Sequence, residues 1–279
     1  MKLLLSLWKK SSMGKLLLIS MLFFASMQPV QAQIAPEYSS VDHVEFFVTD
    51  LQRSLAFYTG LFGNSLYKHR QTERRYLTLG SHYLAIEERE SARVDHVCLG
   101  IENFDIAEVH NYLDSQSIPW QDYPSGRDLR VDDRDGTRTQ LAREGSWEVL
   151  LENSVQKENY PMDNSPIFNA LGLDEIFITV TNLEVDSLFY ARLLNQTGTL
   201  QAGSLWFNVG NTRMRLTQAA PGQAPGINYF SVLVSNTDLD KAADAVFAAG
   251  GIIETILPNG FSFWDPDGHR VVIRTTGMF

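Results

Sequence analysis

Four times along this chain, a strand-like run is followed by a segment of helical periodicity and then by three shorter strand-like runs. The opening runs are Val41 to Thr49, Val94 to Ile101, Leu173 to Thr181 and Ile227 to Val234. The helical segments are "DLQRSLAFYTGLFG", "NFDIAEVHNYLDSQSI", "NLEVDSLFYARLLN" and "TDLDKAADAVFAAGG", each with Asp, Asn or Thr placed as an N-cap. A repeated βαβββ unit restricts the fold to an α+β class. The offset from His43 to His96 nearly equals that from Glu175 to Tyr229, whereas the offset between the two pairs is longer. The units are therefore a duplicated pair. Units one and three turn through Gly80-Ser81 and Gly210-Asn211, and units two and four through "DRDG" (Asp133 to Gly136) and "DPDG" (Asp265 to Gly268). A first pair over 41–152 and a second over 171–279 are expected, joined by a polar, proline-bearing linker over 153–170.

The N-terminus reads as an address. Lys2, Lys9, Lys10 and Lys15 precede or flank an apolar stretch over 16–27, and Val30-Gln31-Ala32 offers small residues for cleavage. Residues 1–32 are expected to be a signal peptide, too short in its apolar core to span a membrane and leaving no stable anchor once cleaved. The mature chain would be periplasmic or secreted. The formal charge is −10, and losing four lysines makes it more acidic, which argues against nucleic acid as a partner. The one cysteine, Cys98, sits mid-strand and is expected to be buried and inert.

Alternation divides each opening strand into two faces. Val44, Phe46 and Val48, with their counterparts in the other units, make an apolar face expected to lie under the helices. The other face carries His43, Glu45 and Phe47; His96, Cys98 and Gly100; Glu175, Phe177 and Thr179; and Tyr229, Ser231 and Leu233. Polar groups on an inner face imply a lined cavity, because burying each unpaired costs about 1–3 kcal/mol. The tetrapeptide VDHV opens units one and two and brings His43 and His96 to matching places on that face.

The paired βαβββ units, the run "VDHVEFFVTDLQRSLAFYTGLFG" and "FWDPDGHRVVI" near the end resemble the vicinal oxygen chelate superfamily. It includes glyoxalase I, fosfomycin- and bleomycin-resistance proteins and extradiol dioxygenases. The resemblance covers nearly all of the mature chain and implies four modules paired into two curled-sheet cups. In the family a divalent metal sits inside a cup, held from the first and last strands of its two units. His43 and His96 match the opening-strand ligands, and imidazole suits Fe, Mn, Zn or Ni. Ala85 stands at the matching place in the closing strand of unit one and cannot coordinate, although Glu87 lies two residues further on the same face. Gln140 stands where the family usually has glutamate.

A set of His43, His96 and Gln140 lacks charge to offset a divalent ion, so Glu45 or Glu87 would have to supply it. These two carboxylates are also the acid/base candidates. The second pair has Glu175, Arg215, Tyr229 and Val272 at the corresponding places and is expected to be a degenerate cup without metal, with Glu175 and Arg215 paired; the alternative is that Arg213 or Arg215 clamps an anionic ligand. His69, His82, His110 and His269 are expected at the surface or beside the site.

The resemblance implies a metal-dependent enzyme of dioxygenase or lyase type acting on a small oxygenated molecule, as a monomer or homodimer. In extradiol enzymes the active pair is usually the second; here it would be the first. The competing reading is a metal-free binder that sequesters a small molecule, as bleomycin-resistance proteins do. Gln140 and Ala85 favour it and the two histidines oppose it.

Overall fold

The computed structural model describes residues 35–275 apart from 64, 159, 161–164 and 236. The expected signal peptide lies outside the described residues, among which no helix is long and apolar enough to cross a membrane. The first sheet contains β1 (Tyr38–Val48), β2 (Leu66–His69), β3 (Arg75–Leu79), β4 (His82–Glu88), β5 (Arg93–Ile101), β6 (Gln121–Asp122), β7 (Leu129–Asp132), β8 (Arg138–Arg143) and β9 (Val155–Glu158), in the order β6-β7-β8-β5-β1-β4-β3-β2-β9. The second contains β10 (Asn169–Val180), β11 (Thr199–Gln201), β12 (Ser204–Val209), β13 (Thr212–Gln218), β14 (Gly226–Ser235), β15 (Ile252–Leu257), β16 (Gly260–Trp264) and β17 (Arg270–Arg274), in the order β11-β12-β13-β10-β14-β17-β16-β15. Two mixed sheets, each built from two βαβββ units, are the architecture read from the repeat.

Within every unit the first strand lies parallel to the last, as β1 to β4 and β5 to β8, and the two units of a pair join antiparallel through their first strands. The four strands that the repeat brings to the middle of the first sheet are thus β8, β5, β1 and β4, which carry His43, Glu45, His96, Gln140 and Glu87. Helices α1 (Leu51–Phe62), α2 (Ile106–Ser115), α4 (Leu183–Leu194) and α5 (Leu239–Ala248) follow the opening strands. Their caps are those the sequence offers: the Asp50, Asp105, Asn182 and Asp238 side chains accept from backbone N–H groups in the first turn.

The apolar strand faces and these helices meet in one core shared by both pairs. Phe46 stacks on Phe230 at 5.9 Å between ring centres, and Phe57 of α1 meets Phe263 of β16 edge-on at 5.9 Å. The aspartate-glycine turns lock the halves together in near-twofold fashion. Asp265 accepts from the backbone of its own turn and from the Tyr58 hydroxyl of α1 at 2.8 Å, while Asp133 accepts from its own turn and from Tyr190 of α4 at 3.0 Å. The third residue of each turn then reaches the start of the other pair's helix, Asp267 to Thr49, Ser54 and Arg53, and Asp135 to Thr181. The hairpin glycines are used the same way, since a Cβ on Gly80 would stand 2.2 Å from the Leu171 carbonyl oxygen and one on Gly210 1.7 Å from that of Ser39.

Two expectations are corrected here. The stretch read as a linker contains β9, which pairs antiparallel with β2 as the edge of the first sheet, and the start of β10; a further helix, α3 (Ser146–Asn153), precedes it. His82 and His269, expected at the surface or beside the site, are buried where the two pairs meet: His82 Nδ1 accepts from the Leu173 backbone and His269 Nδ1 pairs with Asp265 at 2.9 Å.

Candidate metal centre

Period-two alternation puts Asp42 on the opposite face from His43, and Asp95 opposite His96. The ladder between β1 and β5 breaks that rule at both places. Val41 pairs with Leu99 and His43 with Cys98, leaving Asp42 as an extra residue; Glu45 pairs with His96 and Phe46 with Val94, leaving Asp95 as another. These are β-bulges, and they let consecutive side chains meet. His43 Nδ1 lies 3.2 Å from Asp42 Oδ2, and His96 Nδ1 3.0 Å from Asp95 Oδ2. A carboxylate only accepts, so each Nδ1 donates to its aspartate and each ring turns its Nε2 to the cup. Burial opposes ionisation of Asp95, but hydrogen bonds from His96 and Arg93 outweigh it and hold the carboxyl below the usual carboxylate range. Asp42 also accepts from Ser146 of α3, and Tyr83 stacks on His43 at 4.5 Å.

The inward atoms then converge without enough protons to go round. His43 Nε2 and His96 Nε2 are 3.3 Å apart, Gln140 Oε1 is 2.8 Å from His96 Nε2, and Glu45 Oε2 is 3.8 Å from it. The amide orientation of Gln140 follows from its other end, where Nε2 donates to Asp128 Oδ2 at 2.6 Å. Unless one of these groups carries a further proton, four acceptors face one another. A proton on His96 or on the Glu45 carboxyl, or a cation among them, resolves the contact. Nitrogens about 2.1 Å from a shared ion and near a right angle lie about 3 Å apart, so the residues present fit a divalent metal. His43, Glu45 and His96 are all buried, with ligand atoms within 4.8 Å of one another.

Glu45 is almost wholly buried, which pushes its carboxyl up against the opposing pull of His96 and Arg74. Arg74 Nη2 lies 2.8 Å from both Glu45 and Glu87, and Arg89 holds the other oxygen of Glu87 at 2.6 Å. Glu87 therefore sits behind Arg74 and does not join the histidines. Ala85 is buried and contributes packing alone. Cys98 lies near Asp42 and His43, and burial pushes its thiol far up, as an inert cysteine requires. A cavity of about 670 Å³ opens over the cluster, lined by His43, Glu45, Tyr76, Tyr83, Tyr123 and Gln140 among others. That volume suits a small molecule. The buried Tyr123 hydroxyl has no hydrogen-bond partner among the described residues, and burial raises it, so it stays a neutral donor.

The second cup is built on charge pairing. Buried Glu175 accepts from the Tyr229 hydroxyl at 2.7 Å, with Arg274 at 3.5 Å and the expected partner Arg215 further off at 3.9 Å. Val272 is buried and apolar there. Among the described residues, the clusters with metal-ligand spacing both lie in the first cup.

Residues 40–97 match the family model described as Glyoxalase/Bleomycin resistance protein/Dioxygenase superfamily. No curated protein matches the sequence significantly. Among solved structures, the chain is similar to the 2,3-dioxygenase LapB from Pseudomonas sp. KL28, with a TM-score of 0.66 at 14% identity over 88% of this chain and 94% of that one. It is also similar to homoprotocatechuate 2,3-dioxygenase from Brevibacterium fuscum in complex with 3,4-dihydroxyphenylacetate, with a TM-score of 0.65 at 17% identity over 89% and 84%. The fold is that of the vicinal oxygen chelate superfamily.

Within this vicinal oxygen chelate fold, His43, Glu45, Glu87 and His96 fall inside the matched segment, and Gln140 lies beyond it. Sequence reasoning brought both histidines, Glu45 and Gln140 to one point. It missed Asp42, Asp95, Arg74, Tyr123 and Asp128. The signal for the first two was in view, since an aspartate precedes each histidine in the repeated VDHV.

Proposed function

We propose that the first cup binds a divalent metal, Fe, Mn, Zn or Ni, through His43, His96 and Glu45 with Gln140 as a neutral oxygen donor, and that the protein is a metal-dependent enzyme of dioxygenase or lyase type acting on a small oxygenated molecule. The observation that carries this reading is the convergence of acceptor atoms, with both Nδ1 protons committed to carboxylates. Carboxylate-oriented imidazoles are the usual partners of metal-binding histidines. Such a metal, when bound, supplies Lewis-acid polarisation of two neighbouring substrate oxygens and, as iron(II), a site for dioxygen.

The chain's own residues do the rest. Asp42 and Asp95 fix the tautomer and aim of the two rings, and Asp128 fixes the Gln140 carbonyl. Tyr123 offers a neutral hydroxyl to an oxygen held beside Glu45. Arg74 and Arg89 together neutralise Glu87, and Glu45, which shares Arg74, is the inward carboxylate able to accept a proton when it is not a ligand. Tyr83 stacks on His43 and, with Tyr76, gives the cavity an apolar wall beside the cluster. The proposed setting is outside the cytoplasm, on the strength of residues 1–32, and N-terminal sequencing of the mature protein tests that.

The 2.8 Å pairing of Arg74 with Glu45 favours a second reading, metal-free sequestration of a small molecule. Elemental analysis of the purified mature protein after reconstitution with Fe, Mn, Zn and Ni separates the two. Stoichiometric metal that is lost in His43→Ala and His96→Ala, and kept in Glu175→Gln of the second cup, is the expected result. Wild-type protein that retains none of the four metals sinks the enzyme reading.

A further inference from the structure

The charged side chains lining the cavity are unevenly used. Glu45 is paired with Arg74, Asp105 accepts from the Ala107 and Glu108 backbone as the cap of α2, and Asp128 accepts from Gln140 and Ser125. Every acid on the wall is thus engaged. Two cations are not: Arg127 and Arg143 are exposed residues of the cavity lining, and neither guanidinium has a hydrogen bond, ion pair or ring contact among the described residues. Every other arginine of the chain has such a partner, from Arg53 with Asp267 to Arg274 with Glu175. In a chain of net charge −10, acids to pair with are plentiful, and the two arginines left over both face one cavity. Arg127 comes from the loop between β6 and β7, and Arg143 ends β8 three residues beyond Gln140, so both stand at the rim while the histidines lie deeper.

We propose that Arg127 and Arg143 recognise an anionic group on the substrate, a carboxylate or an equivalent oxyanion, at the end remote from the histidines. The assignment rests on the first cup being the binding site. A guanidinium presents a planar fork that matches a carboxylate, and an unmatched pair at the mouth also draws anions towards an otherwise acidic molecule. Tyr76, Tyr83, Phe104 and Tyr123 give the same cavity an aromatic lining, so the ligand class is a small aromatic molecule bearing an anion.

The test uses phenylacetate and its uncharged amide, phenylacetamide, as probes of the mature full-length protein. Binding is followed by the fluorescence of Trp147, whose ring lies 5.0 Å from that of Tyr83. Wild-type protein is expected to bind phenylacetate about tenfold more tightly than the amide, a preference that shrinks as salt is raised. The exposed substitutions Arg127→Gln and Arg143→Gln leave the core untouched, and together they are expected to abolish the preference. Arg134→Gln, an exposed arginine outside the cavity that bonds Thr181, is expected to keep it, while metal analysis of the same samples judges the metal reading separately. Equal affinities in the wild type, a preference unchanged in the double variant, or its loss in Arg134→Gln overturns the assignment.

Discussion

Gln140→Glu puts a carboxylate at the place where the sequence resemblance implies one, and the surroundings set its effect. In the metal-free protein it replaces the Nε2 that donates to Asp128 at 2.6 Å by an oxygen that cannot donate. A hydrogen bond to a charged acceptor is worth about 1.5–3 kcal/mol. Two like charges about 4 Å apart add repulsion of roughly 4 kcal/mol at an effective dielectric near 20. Both side chains are part-exposed, and Asp128 keeps the Ser125 hydroxyl at 2.7 Å, so relaxation into solvent removes much of the second figure. A net loss of about 2 kcal/mol is expected without metal. With metal the added charge sits beside His96, and each tenfold gain in affinity adds about 1.4 kcal/mol at saturating ion. Urea unfolding in chelator and in excess Mn or Zn measures both. The variant should be less stable than wild type in chelator and gain more from metal. Equal stability in chelator would refute the orientation assigned to the amide, and an unchanged gain from metal would remove Gln140 from the donors.

Other outcomes follow from the same geometry. Asp42→Asn and Asp95→Asn each free a histidine to change tautomer and should weaken metal binding about 10- to 100-fold in chelator competition, with the fold intact by circular dichroism. Asp95, held below the usual carboxylate range, contributes stability that is present above about pH 4 and fades as pH falls. Glu45 works the other way: its neutral form favours the fold, so its contribution is present below the ordinary value of 4.5 and lost as pH rises. Metal-free Glu45→Gln should therefore lose less stability than wild type on going from acid to neutral pH, while binding metal more weakly. Tyr58→Phe and Tyr190→Phe should each cost about 1–3 kcal/mol by leaving a buried aspartate oxygen short of a donor, and their near-equality checks the twofold lock.

Much of the fold could be read from the repeat because four copies of one pattern constrain each other, and the helices begin at the very caps the sequence offers. What escaped reading depends on contacts between distant segments. β9 has four residues, "VQKE", polar enough to pass for linker, and its place comes from pairing with β2 at a sheet edge. His269 follows a turn glycine and reads as exposed, yet the packing of one pair on the other covers it. Asp42 and Asp95 escaped because strict alternation assigns neighbours to opposite faces, and a bulge is a local exception that side-chain periodicity cannot announce. Glu87 looked available on its own strand; Arg74, just before the start of the neighbouring β3, and Arg89, just past the end of β4, claim it.

The crossed tyrosine–aspartate locks bear on how such a molecule can change over generations. After a gene duplication, a copy that no longer binds anything is ordinarily free to be lost. Here the second half supplies Phe230, Phe263 and Asp265 to the half that carries the His43–Glu45–His96 cluster, and removing it would expose Phe46, Phe57 and Tyr58 to water. The second half therefore acts as a splint whatever its own cup binds: its outward face is held by the first half, and its inward face, lined by Arg215 and Arg274 around Glu175, is free of that constraint.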